Sequence, residues 1–127
     1  MKYKTCIFNR EMVLAFRSDI RKELSNCNWK KKEDLDNFLL ILTELGTNLV
    51  SHANGGILEV WIADPPHPSV IVRAFSLKTE VLKLRNTHNT LSSLGIGLLS
   101  ARDLMDEVTI NDKKQYFEVI CKKYLKI

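Results

Sequence analysis

The sequence predicts an α+β protein, a two-layer α/β sandwich with helices on one face of a mostly antiparallel sheet. Three observations predict it. Two long segments in the N-terminal half carry apolar residues at helical spacing. Shorter segments before and after them alternate apolar and polar residues at the period of a strand. The order that results is strand, two helices, two strands, loop, helix, two strands, which gathers the helices on one side.

The opening KYKTCIF suits a strand. Asn9 can cap a helix whose apolar face is Val13, Phe16, Ile20 and Leu24. The polar break SNCNWKKKED follows. A second helix is predicted from about Lys32 to Ala53, with Leu35, Phe38, Leu39, Leu42, Leu45 and Leu49 on its apolar face. Asn54-Gly55-Gly56 should stop it, because glycine tolerates the positive φ of such endings. ILEVWIA and SVIVRAF read as strands joined by a turn containing Pro65, Pro66 and Pro68. Phe75 ends the second strand and reads as a core residue. Lys78–Ser93 has mixed character and reads as a loop or lid. LGIGLLSARDLMDE then starts a helix on two glycines, and EVTIN and QYFEVICKKYL form a hairpin turning at Asn111–Lys114.

Composition narrows the function classes. The chain has 127 residues, 45% hydrophobic and 27% charged, which predicts one domain spanning 1–127 with a core that needs no metal or disulfide staple. No apolar run approaches the roughly 18 residues of a membrane span. The N-terminus lacks a signal-peptide pattern, so a cytoplasmic protein is expected. Cys6, Cys27 and Cys121 have no metal-ligand spacing and sit in no nucleophile motif. The net charge of +4 is spread, with short clusters at Lys30–Lys32 and Lys122-Lys123 that read as solvated ends of helices and strands. Neither cluster is interleaved with aromatics, so no nucleic-acid partner is predicted.

Chemistry concentrates in two segments. In Glu44–Gly56, Glu44, Asn48 and His52 fall at i, i+4 and i+8, one polar stripe at the edge of the second helix's apolar face. A carboxylate there can accept a proton from an attacking hydroxyl. An amide oxygen one turn on is a hard neutral ligand of the kind Mg²⁺ takes. In Ser93–Glu107, Gly95 and Gly97 stand at the mouth of a helix, where unpaired N–H groups and the helix dipole favour an anion.

Together the two segments resemble a family. Glu44-Leu45-Gly46-Thr47-Asn48-Leu49-Val50-Ser51-His52-Ala53 is similar to the box Glu-Leu-x-x-Asn-x-x-x-His/Tyr-Ala. Ser93-Leu94-Gly95-Ile96-Gly97-Leu98, followed by Ala101 and Leu104-Met105-Asp106-Glu107, is similar to a glycine box and its helix. Both belong to the small serine kinases of bacterial partner-switching systems, the anti-sigma-factor and RsbT-like kinases of the GHKL superfamily of histidine-kinase-like ATPases. The resemblance implies that superfamily's α/β sandwich, binding ATP and Mg²⁺. It implies Glu44 as the catalytic base and Asn48 as the Mg²⁺ ligand. It implies a cofactor-binding set of Asn48, His52, Ser93, Gly95, Ile96, Gly97 and Leu98. The implied partner is a STAS-domain antagonist protein carrying the target serine, with a sigma factor or a phosphatase as a further partner and a homodimer left open. The implied role is regulation of a stress response.

One box departs from the family. Its strand before the lid ends in Asp-x-Gly-x-Gly, whose aspartate accepts the adenine amino group. Here Phe75 or Ser76 stands at the aspartate, and Leu77-Lys78-Thr79 replace the glycine turn. Losing a charge-assisted hydrogen bond of about 1.5–3 kcal/mol would weaken ATP about ten- to a hundredfold. Two functions therefore follow: an ATP-dependent protein serine kinase with a weakened nucleotide site, or a catalytically degenerate binding module that keeps the fold and the partner surface.

Overall fold

The computed structural model describes residues 2–78 and 101–127. Its elements are β1 (Lys2–Ile7), α1 (Arg10–Leu24), α2 (Asp34–His52), β2 (Gly56–Ala63), β3 (Ser69–Leu77), β4 (Glu107–Asp112) and β5 (Tyr116–Tyr124). Residues 101–104 are also helical. The five strands form one antiparallel sheet in the order β1-β2-β3-β5-β4. This is a small α+β fold, as the element order predicts.

Local chemistry explains the helix limits. The Asn9 side chain caps α1 by accepting the Met12 N–H at 2.9 Å, as its position predicts. The indole N–H of Trp29 donates to the Leu24 carbonyl at 2.9 Å and closes the other end. Trp29 also packs on Phe38 at 6.0 Å and bridges to Leu125. The segment that reads as a polar break therefore holds an apolar clamp between α1, α2 and the end of the chain. At the end of α2, Asn54 and Gly55 take φ of 57° and 97°, the left-handed ending expected there.

One core joins the helices to one face of the sheet. Val13, Phe16, Ile20 and Leu24 of α1 and Phe38, Leu39, Ile41, Leu42, Leu45 and Leu49 of α2 bury against Leu58, Val60, Val70, Val72, Phe117, Val119 and Cys121. Close approach is set by Gly46. A Cβ there would stand 2.7 and 3.0 Å from the Val13 methyls and 3.1 Å from Leu58 Cδ1, so α1, α2 and β2 converge on a position with no side chain.

The other sheet face carries charge in its centre. Glu59, only 4% exposed, accepts from Arg73 at 2.6 Å and from Lys2 at 3.0 Å. The Arg73 Nε also pairs with Glu118, which accepts the Asn111 amide at 2.8 Å. Burial alone would raise both carboxyl groups. The Lys2 and Arg73 bonds on Glu59, and the Asn111 and Arg73 bonds on Glu118, outweigh it and hold both below the ordinary range. Phe75 lies on this face too, half-buried, with its ring 5.3 Å from Tyr116 and 4.7 Å from the Arg73 guanidinium. It is therefore not part of the helix-facing core that an alternating apolar strand suggests; the pleat turns it outward and turns Ser76 inward.

Two further expectations are corrected. The hairpin turns at Lys113–Gln115, because Asn111 and Asp112 still pair with Glu118 and Phe117. Lys123 is no solvated end: it donates to the Leu104 carbonyl at 2.8 Å and lies 3.7 Å from the buried Asp34 carboxylate.

Two stability predictions follow from this packing. Gly46→Ala gains helix propensity but drives a methyl into Val13, and should lose about 1–2 kcal/mol in urea unfolding. The loss should shrink in a Val13→Ala background. Arg73→Met should lose about 3 kcal/mol at neutral pH, because the half-buried Glu118 loses its cation and the buried Glu59 keeps only Lys2. In the wild type these carboxyl groups contribute stability that is full above their unfolded pKa near 4.5 and is lost as pH falls through their lowered values. In Arg73→Met, Glu59 keeps Lys2 and Glu118 keeps Asn111, so the loss of stability on acidification should be smaller than in the wild type.

Candidate functional site

The site starts with α2. Glu44 and Asn48 are half-buried and His52 is exposed as the helix's last residue, all three on one line as the spacing predicts. Their neighbours Leu45 and Leu49 are buried, so the stripe borders the core without entering it. Among the described residues, Glu44 and Asn48 make no hydrogen bond or ion pair.

The chain leaving α2 fixes what lies beside the stripe. The Gly55 N–H donates to the Leu49 carbonyl at 2.8 Å, folding the turn back onto the helix. β2 then begins at Gly56, where a Cβ would collide with the Phe75 carbonyl oxygen and stand 2.8 Å from Leu49 Cδ2. Gly56 thus lets the last turns of α2 seat directly against the C-terminal end of β3. Val70, Val72, Ala74 and Ser76 of β3 are buried on the helix-facing side. Ser76, 4% exposed, is therefore the last inner-face residue of β3. Of Phe75 and Ser76, the pleat turns only Ser76 to the helix-facing side. Glycine tightness at Gly46 and Gly56 is a signal that sequence periodicity passes over, since both positions sit within otherwise ordinary apolar patterns.

The glycine segment predicted to face this stripe, Ser93, Gly95, Ile96, Gly97 and Leu98, lies outside the described residues, as does most of the predicted lid. Beyond it in sequence, Ala101 is fully buried in the shared core and Met105 is buried with it.

Other chemistries find less support. Among the described residues, no group of three or more His, Cys, Asp or Glu side chains is placed to hold a metal. A carboxylate and an amide one turn apart suit an ion held mainly by a ligand's phosphates and by water. Burial pushes the Cys121 thiol up to about 12 and raises that of Cys27, so neither supplies a thiolate at neutral pH. A hollow lined by Lys30, His67, Pro68, Tyr124, Leu125 and Ile127 lies at the N-terminal end of β3, away from the stripe. None of the described helices is long and apolar enough to cross a membrane.

An α+β sheet of this order with two N-terminal helices is a known architecture. One solved chain that shares it comes from the crystal structure of the SiaB–SiaC complex of Pseudomonas aeruginosa. The match has a TM-score of 0.59 at 11% identity and covers 96% of this chain and 89% of that one. The sequence matches no protein-family model and no curated protein.

The packing around Ser76 generates a prediction. Ser76→Asp places a carboxylate on the buried inner face of β3 and should lower stability by about 2–4 kcal/mol in thermal or urea unfolding. The same change at the half-exposed Phe75 should cost less, because water reaches that face.

Proposed function

We propose that the chain is a GHKL-type regulator of a partner switch, a protein serine kinase that binds a small partner protein and uses ATP and Mg²⁺ weakly. The observation that carries this reading is the pair Glu44 and Asn48, two half-buried polar side chains one helical turn apart with no protein partner among the described residues. A fold that left them there for structure alone would gain little, since burying polar groups without partners is costly. Their chemistry suits phosphoryl transfer. Glu44 would take the proton of the partner's serine hydroxyl as its oxygen attacks the terminal phosphorus of ATP, with ADP leaving. Asn48 would give its amide oxygen to the hydrated Mg²⁺, which when bound offsets the phosphate charge. His52, Ser93, Gly95, Ile96, Gly97 and Leu98 complete the proposed nucleotide site by resemblance. That the structural neighbour comes from a two-protein complex supports a protein partner for this chain too, and a STAS-domain antagonist is the class the resemblance favours.

A second reading has its own observation. Ser76, not a carboxylate, ends the inner face of β3 beside α2. A hydroxyl in place of a charged acceptor weakens the hold on adenine and favours a module that binds its partner with little or no nucleotide.

Thermal unfolding with Mg·ATP separates the two. Under the kinase reading millimolar Mg·ATP raises the melting temperature of the wild type, by mass action on the folded state. Transfer of labelled phosphate to a STAS-domain protein should then fall at least about a hundredfold in Glu44→Ala, the range lost with a general base. Asn48→Ala should raise the Mg²⁺ concentration needed. No shift with ATP in the wild type, together with a gain of binding in Ser76→Asp, would select the binding module.

A further inference from the structure

The hollow at the N-terminal end of β3 has no part in the chemistry of the α2 stripe. Its volume is about 150 Å³, and Lys30, His67, Pro68, Tyr124, Leu125 and Ile127 line it. Three separate stretches of chain meet there, and backbone bonds fix them to one another. The Leu125 N–H donates to the Pro68 carbonyl at 2.9 Å, and the Lys126 N–H to the Asn28 carbonyl at 2.9 Å. The end of β5 is thus tied both to the turn before β3 and to the segment that follows α1.

Its polar groups are cationic and uncommitted. The Lys30 ammonium stands 5.6 Å from the centre of the Tyr124 ring, a contact that orients it and leaves its N–H donors unspent. The exposed His67 ring has an N–H to donate in either protonation state. Among the described residues neither side chain makes a hydrogen bond or an ion pair. Lys31, Lys32 and Lys126 are exposed beside them in sequence and add positive charge. The acids nearest Tyr124 are already engaged. Asp106 accepts the Tyr124 N–H at 2.7 Å, and Glu107 accepts its hydroxyl and lies 3.7 Å from Lys122. Asp64, on the same turn as His67, and Glu33 are exposed and do not line the hollow. Ser69 adjoins two of the lining residues, following Pro68 in the chain and pairing with Tyr124 across the sheet. It is 1% exposed, and its hydroxyl oxygen has no partner among the described residues. Buried polar atoms are seldom left so.

We propose that this hollow binds a small organic phosphate, with Lys30 and His67 donating to the phosphate oxygens and Pro68 and Leu125 packing on the carbon skeleton. Donors on separate stretches of chain suit a head group with three acceptor oxygens. Size limits the rest of the ligand. A cavity of about 150 Å³ takes a molecule the size of benzene, which admits a phosphate on a few carbons and excludes a nucleotide. The inference does not depend on nucleotide chemistry at the α2 stripe.

Amide NMR on the whole chain, titrated with phenyl phosphate, tests it. Shifts should saturate at Lys30, His67, Tyr124 and Leu125 with a Kd of about 1 mM or tighter. The amides of Glu44 and Asn48 should not move. Lys30→Gln and His67→Ala should each raise the Kd about fivefold or more, by removing a charged or polar donor to the phosphate. Both side chains are exposed, so the melting temperature of each variant should stay that of the wild type. Benzoate, which has the ring but a planar head group with two oxygens, should bind at least about fivefold more weakly than phenyl phosphate. Shifts that fail to saturate by about 20 mM, well above a millimolar Kd, would overturn the proposal. So would saturation centred on the α2 stripe, an unchanged Kd in both variants, or benzoate binding as tightly as phenyl phosphate.

Discussion

The close seating of α2 governs the rest of this structure. Two positions without a side chain permit it: Gly46, where α1 and β2 press on the helix, and Gly56, where the helix's last turns meet the end of β3. A methyl at either would push α2 off the sheet by tenths of an ångström or more, and packed interiors absorb such shifts poorly. Glu44 and Asn48 flank Gly46 on the helix and precede Gly56 in the chain. Their height over the sheet is therefore set by contacts between apolar groups.

The charged groups divide into two kinds with different work. On the outer face, Lys2, Glu59, Arg73, Glu118 and Asn111 satisfy one another across the whole width of the sheet, which is how buried ionic groups are tolerated at all. On the helix side, Lys123 joins the Leu104 carbonyl to Asp34 and so ties the helix after residue 100 to the start of α2. Glu44 and Asn48 belong to neither set. Among the described residues they are not alone in this, since Arg17 Nε and Ser69 Oγ are buried without a partner as well, but Glu44 and Asn48 stand one helical turn apart on one line.

Much of the fold was legible in the sequence because period dominates it. Val13–Phe16–Ile20–Leu24 announced α1, and the Asn9 cap and the Asn54-Gly55 ending were chemical consequences of residue type. The stripe was equally legible, since spacing alone fixes the line of Glu44, Asn48 and His52. What period could not reveal was which face of β3 a terminal residue takes. Phe75 and Ser76 differ by one pleat, and an aromatic ending an apolar strand reads as core until the register with β5 is known. Lys123 and Trp29 were misread for a related reason: each lies in a polar run, and only long-range contacts turn it inward. The glycine segment at Ser93–Leu98 stands outside the described residues, so its place opposite the stripe remains a proposal.

The hairpin of β4 and β5 has a consequence for how this chain could vary. The Lys78 N–H bonds the Gln115 carbonyl and its ammonium group pairs with Asp112, while Leu104 on the far side is held by Lys123. The departure and the return of the chain between 78 and 101 are therefore both fastened to the same hairpin. Both described ends of that span depend on one hairpin, so a change in the pairing of β4 with β5 would be felt at Lys78 and at Leu104 together.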